Sequence, residues 1–200
     1  MTDINDKSGI LVQGHIKIFD PESNEILIDK RNAIHYENMS IALAESLSNA
    51  GQGFISEMSF GSGGTSVDPT GIITYLTPNT TGTNASLYRQ TFSKIVDDRN
   101  ANNTDPARNK LEIRHVSGTN YTDVFVSCLL DYGEPAGQDA FDNANTQESP
   151  FVFDELGLRS YSPTGDGRLI THVIFHPVQK SLNRLIQIDY TVRIQSLSGV

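Results

Sequence analysis

The segment "RLIQIDYTVRIQ" at 184–195 limits what this chain can fold into more than any other. Ile186, Ile188, Tyr190, Val192 and Ile194 alternate without a break with Gln187, Asp189, Thr191, Arg193 and Gln195. A period of two places every apolar side chain on one face of an extended strand and every polar one on the other. Such a strand needs a sheet beside it and a second layer over its apolar face. The same period returns in "HIKIFD", "EILID", "GIITYL", "LYRQTFSKIVDD", "KLEIRHV" and "RLITHVIFHP". In "FISEMSF" it aligns Phe54, Met58 and Phe60. In "YTDVFVSCLLDY" one face carries Thr122, Val124, Val126, Cys128 and Leu130, while Phe125 and Leu129 make the other face apolar too. A strand apolar on both faces belongs in the interior of a sandwich.

Between "HIKIFD" and "EILID", Asp20-Pro21-Glu22-Ser23-Asn24 supplies turn chemistry, so the pair reads as a hairpin. One segment breaks the pattern. "ENMSIALAESLSNAGQG" spaces Met39, Ala42, Leu43, Ser46 and Leu47 as a helical stripe, with Asn38 as the expected N-cap and Gly51 or Gly53 as the stop. The chain is therefore expected to be mainly β. The predicted fold is an antiparallel β-sandwich of about nine strands with one flanking α-helix around 38–50 and long loops. Residues 1–13 read as an N-terminal arm and 14–200 as a single sandwich domain. Unusually long connections fall at 61–71 with 77–86, at 97–109 and at 131–150, a length usually associated with binding or disorder.

The chemistry that such a chain could carry is mostly excluded by what its motifs lack. "MSFGSGGTSVDPTG" at 58–71 puts glycines 61, 63 and 64 after a strand, as a phosphate-cradling loop would. No lysine follows Gly64, and Asp68-Pro69 leads to another strand rather than to a helix N-terminus that could hold an anion. The loop instead reads as a glycine hinge at 61–64 that lets a long loop leave the edge of the sandwich without steric cost. His172 and His176 are four apart on a strand, about 13 Å from one another at ~3.3 Å per residue, too far to share a metal. They read as exposed or interface histidines. Cys128 sits mid-strand and reads as a buried, inert thiol. No Gly-x-Ser-x-Gly elbow is present. The carboxylates Asp139, Asp142 and Glu148 lack the spacing of a calcium loop. No catalytic residue, cofactor or metal site is read, and the expectation is that the chain is not an enzyme. A net charge of −9 argues against nucleic acid, and no apolar run is long enough for a membrane span. The N-terminus lacks the layout of a signal peptide, so synthesis and folding in a cytoplasm are expected.

The order of segments resembles a known group. "KRNAIHYENMSIALAESLSN", "FISEMSFGSGGTSVDPT" and "LYRQTFSKIV" precede "FVFDELGLRSYSPTGDGRLITHVIFHPVQKSLNRLIQIDYTVRI". Together, over about 32–195, they resemble virion proteins of tailed bacteriophages, among them the N-terminal attachment modules of Mu-like tail fibres and related tail-collar proteins. Glu155, Leu156, Gly157, Leu158, Gly167, Leu169, Pro177 and Lys180 carry the likeness. No fibre shaft follows as far as Val200. The resemblance therefore implies a free-standing structural component of the tail, baseplate, neck or collar, located in the virion and assembled in the bacterial cytoplasm. Its implied partners are other virion proteins, including copies of itself in a homo-oligomer. The interface residues expected are Gly61, Gly63, Gly64, Asp68, Asp105, Tyr132, Phe141 and Tyr161. Two alternatives are a capsid decoration protein and a sandwich that binds host carbohydrate, with glycan as its partner.

Overall fold

The computed structural model describes residues 9–137 and 151–197. Phe141 and the carboxylates at 139, 142 and 148 lie outside them. The described residues form twelve strands and one helix, in the order β1 (Gly9–Phe19), β2 (Ile26–Arg31), β3 (Ala33–Ile34), α1 (Tyr36–Leu47), β4 (Ile55–Gly61), β5 (Thr65–Val67), β6 (Ile73–Tyr75), β7 (Gln90–Ile95), β8 (Lys110–His115), β9 (Tyr121–Leu130), β10 (Val152–Ser160), β11 (Thr171–Gln179) and β12 (Ile186–Leu197). The fold is mainly β, with every strand pairing antiparallel. One sheet runs β2-β1-β12-β9-β8, the second β3-β11-β10-β4-β7, and β5-β6 is a small third sheet.

The alternation in β12 works as its sequence requires. Ile186, Ile188, Tyr190 and Val192 are buried, and they meet Val126, Cys128 and Leu130 of β9 and Ile16 and Ile18 of β1. The second sheet answers with Met58, Phe60, Phe153, Leu156, Leu158, Val173 and Phe175 in the same core. Phe60 packs between Phe153 and Phe92, at ring-centroid distances of 5.2 and 5.9 Å. The 20–24 turn closes the expected hairpin: Asp20 accepts the amides of Glu22 and Ser23, and Asn24 takes the left-handed conformation at φ 60°.

Four expectations need correction. Residues 9–13 are not an arm but the start of β1, paired with β12 from Gly9↔Leu197 inward. The helix begins at Tyr36, and its N-cap is His35, whose Nδ1 accepts the Asn38 amide at 3.1 Å. Asn38 lies inside the first turn, fully buried, and donates to the Leu169 carbonyl at 3.0 Å. The helix also ends early, at Leu47, with Ser48 as C-cap and Asn49 left-handed at φ 55°, so Leu47 is exposed while Met39 and Ala42 join the core. Phe54 leaves the face shared by Met58 and Phe60. The β4–β10 register shifts between Arg159 and Ser160, and this bulge turns Ile55 inward and leaves Phe54 stacked on Tyr161 at 5.1 Å.

All nine residues of β10 are buried, although only one of its faces meets the other sheet. Residues 62–89 run as a strap across its outer face, with Leu87 buried beneath them.

Candidate functional site

The strap is fixed at the glycine loop, and there the anion question has an unexpected answer: the loop does receive anions, and they are the protein's own. Asp154 and Glu155 stand next to one another in β10, with 1% and 0% exposure. Burying two adjacent carboxylates costs several kcal/mol each unless donors replace water. Asp154 accepts the amides of Gly64 and Thr65, both at 2.8 Å, and the Thr65 hydroxyl at 2.5 Å. Glu155 accepts the amides of Gly63, Tyr88 and Arg89 at 3.1, 2.9 and 2.8 Å. His172 Nε2 lies 3.0 Å from the same carboxylate.

These partners divide the two acids. Burial pushes the Asp154 carboxyl above its ordinary value, against the pull of the Thr65 hydroxyl and the two amides. Burial also acts to raise Glu155, but the His172 hydrogen bond and the Arg89 and Tyr88 amides outweigh it and hold the carboxyl below its ordinary value.

None of the three loop glycines has a positive φ, so the expected hinge is not what they provide. Their function is to leave space. A Cβ on Gly61 would lie 2.5 Å from both the Arg89 carbonyl and Glu155 Oε1, and one on Gly63 2.8 Å from the Arg89 nitrogen. Gly61 and Gly64 are buried, and β4 is an interior strand, so the loop does not leave from a sheet edge.

Two fully buried histidines secure the middle of the strap, and this overturns the reading of His172 as exposed. Of the pair His172 and His176, His176 is the exposed one. His172 Nδ1 accepts the Asn79 amide at 2.8 Å, which leaves Nε2–H to donate to Glu155. His35 repeats the arrangement: Nδ1 caps the helix and Nε2–H donates to the Gly82 carbonyl at 2.9 Å. Arg159, 3% exposed, fixes the end of the strap by donating to Ser86 Oγ, Gln90 Oε1, Ser59 Oγ and the Gly167 carbonyl. Asp154, Arg159 and His35 were missed in the sequence, and His172 was misread. The available signal was "FVFDELGLRS", where charges inside an apolar strand must find buried partners.

Above this locked base, the β5–β6 hairpin presents apolar side chains to solvent. Val67, Ile72, Tyr75, Leu76 and the neighbouring Tyr88 are each 40–63% exposed. Tyr88 donates to the Thr77 carbonyl at 2.6 Å, and the Tyr75 hydroxyl lies 3.2 Å from His176 Nδ1, so both rings are held in place. Asp68 shapes the turn by accepting from the Thr70 hydroxyl, which lowers its carboxyl, and from the amides of Thr70 and Ile72.

Two clefts flank the helix. One, of about 760 Å³, is polar and lined by Thr83, Ser86, Arg159, Tyr161, Asp166 and Arg168. The other, of about 500 Å³, is apolar and lies between α1 and the first sheet, with Leu43, Ile55, Leu111, Ile113 and Val124 in its walls.

The expected interface residues do not form one surface. Gly61, Gly63, Gly64 and Asp68 belong to the strap and its hairpin. Asp105 and Tyr132 share another corner, where Arg108 bridges Asp105 and Asp131 and the Tyr132 hydroxyl donates to Glu22 at 2.7 Å. Tyr161 stands at the polar cleft. Of the residues that carry the phage resemblance, Gly157 and Gly167 leave no room for a Cβ, at 2.3 Å from the Thr171 carbonyl and 1.5 Å from the Ser160 carbonyl. Leu156, Leu158, Leu169 and Lys180 are buried. Burial brings the Lys180 amine down to about 8, and its Nζ donates to the Ser181 carbonyl at 2.9 Å.

Among the described residues, no three His, Cys, Asp or Glu side chains gather as a metal site, and no helix is long and apolar enough to cross a membrane. Comparison with protein-family models, with curated proteins and with solved structures gave no match.

Proposed function

We propose that the chain is a non-enzymatic assembly protein, and that it serves in a tailed-phage virion as a component of the tail, baseplate or neck. The observation that carries the docking role is the β5–β6 hairpin: a set of exposed apolar side chains on a base that two buried carboxylates make rigid. Large apolar groups held in fixed positions lose little conformational entropy on docking, which favours protein contacts. The virion assignment rests on the segment order and on the residues of 151–195. The acidic charge fits a subunit that must stay dispersed before assembly.

The test is to separate tails from emptied heads of the phage that carries the protein, and to assay both fractions for the chain. Presence with tails is the expected result, while presence with heads supports the decoration reading. Absence from both would overturn a structural role in the virion. In the same particles, Val67→Ser with Ile72→Ser should remove the chain from the virion while changing its stability by less than about 0.5 kcal/mol, as is usual for exposed sites. A second reading, carbohydrate binding, is favoured by the hydroxyl-rich cleft beside Tyr161. Saturable binding of host polysaccharide, lost on Tyr161→Ala, would select it instead.

A further inference from the structure

The geometry points to a second copy of this chain as the partner of strand β8, paired antiparallel about a two-fold axis at Ile113 to join the two first sheets into one. The inference is independent of where the protein acts. β8 ends its sheet, with β9 on one side and, among the described residues, no strand on the other. In β9 the odd-numbered residues turn their backbone groups toward β8 and the even-numbered ones toward β12. The Leu129 amide meets Asn109 Oδ1 at 2.8 Å, while the Asn120 carbonyl accepts from Ser196. Lys110, Glu112 and Arg114 stand opposite the odd residues Ser127, Phe125 and Asp123. They therefore bond inward, and Leu111, Ile113 and His115 direct their N–H and C=O groups to the open edge.

Side chains add a second constraint. Leu111, Ile113 and His115 share the face that looks into the sandwich, yet Ile113 is 80% exposed, because β8 overhangs the mouth of the apolar cleft under α1. Glu112 and Arg114 lie on the opposite face, 2.7 Å apart, and Arg114 stacks on Phe125 with its guanidinium 3.4 Å from the ring centroid.

Only registers that pair residues of the same face and the same bonding edge are allowed in a symmetric pair, so the two-fold passes through a residue of β8. Centred on Glu112, it would oppose Glu112 to its own copy and Lys110 to Arg114, both like-charge pairs. An axis at Arg114 would oppose that residue to itself. Centred on Ile113, it opposes Glu112 to the partner's Arg114 and Arg114 to the partner's Glu112. Ile113 then meets the partner's Ile113 in a hydrogen-bonded pair, and the charged residues fall at the non-hydrogen-bonded positions, where side chains come closest. An axis at Leu111 would also oppose Lys110 to Glu112, but it pairs only three residues of β8, 110 to 112, where the axis at Ile113 pairs five, 111 to 115, so the longest self-complementary register of "KLEIRH" is the one centred on Ile113.

Charge swaps test this directly, with sedimentation equilibrium as the measurement. The purified chain should show a concentration-dependent mass that approaches twice its 22.0 kDa. Glu112→Arg makes both cross-strand pairs repulsive, and so does Arg114→Glu. Each variant alone should remain at the monomer mass at concentrations where the native chain is dimeric, with its circular dichroism unchanged. Mixed in equal amounts, the two should form a heterodimer, since every pair becomes opposite in sign. A native chain that is monomeric at all concentrations overturns the proposal. So does a dimer that both variants retain, or a mixture that stays monomeric.

Discussion

A carboxylate buried in a strand must collect donors or lose its charge, and the room for those donors is decided residue by residue. Glu155 can receive three amides only because Gly61 and Gly63 leave the space where their Cβ atoms would stand. Gly61→Ala should therefore destabilise the fold by about 2 kcal/mol, the usual cost of overpacking, read as a lower urea midpoint with unchanged slope. Gly9→Ala, where an added Cβ meets nothing within 4 Å, is the matched control and should leave the midpoint in place. Equal effects would mean that the carboxylate nest tolerates the methyl group. The glycines were visible in the sequence, but their purpose was not. Glu155 is 94 positions from Gly61 (155 − 61), and local pattern carries no information about which distant side chain a loop will enclose. Cys128 was legible for the opposite reason. Its burial follows from its own strand's alternation, and that burial pushes the thiol up to about 12.

At the scale of elements, length decided what could be read. β9 and β12 span ten residues or more, and the alternation along each is legible in the sequence. β3 and β5, of two and three residues, are too short to show a period and exist because β11 and β6 are there to pair with them. The bulge that redirects Phe54 belongs to the β4–β10 pairing and is equally invisible in one strand alone. The helix start was misplaced because Asn38 has the side chain of a cap, and histidine is not among the favoured capping residues. His35 combines that cap with a tie to Gly82, and the two can be separated by substitution. His35→Ala should cost about 2 kcal/mol in chemical denaturation, through loss of the cap and of a buried hydrogen bond. His35→Asn should recover about half of this, because asparagine can cap the helix but cannot reach the strap. Recovery of the full loss would show that the Gly82 contact contributes nothing.

For the whole molecule, the strap makes the second sheet a three-layer structure whose outer seam is polar and ionised, and this couples the fold to pH. Glu155 titrates below its ordinary value of 4.5 in the folded chain, so it binds fewer protons than in the unfolded chain. Its contribution is complete above the unfolded value and is lost as the pH falls through the folded one. Asp131, Asp123 and Asp20 are also lowered, chiefly by the Tyr132 amide, the Arg193 guanidinium and the Ser23 amide in turn, and act in the same direction. Asp154 and Glu57 are raised by burial and act the other way: each costs stability once it is charged, and the cost disappears on acidification. Since Glu155 alone joins the glycine loop, the 88–89 backbone and His172, its protonation should release the strap before the sandwich itself gives way. The expected outcome is a urea midpoint that falls between about pH 5 and pH 3 in the native chain, with amides 63, 88 and 89 exchanging hydrogen first. Glu155→Gln should lower the midpoint at pH 7 and flatten its fall over that window. If the variant's profile runs parallel to that of the native chain, the acid response belongs to the surface carboxylates, and the buried seam does not set it.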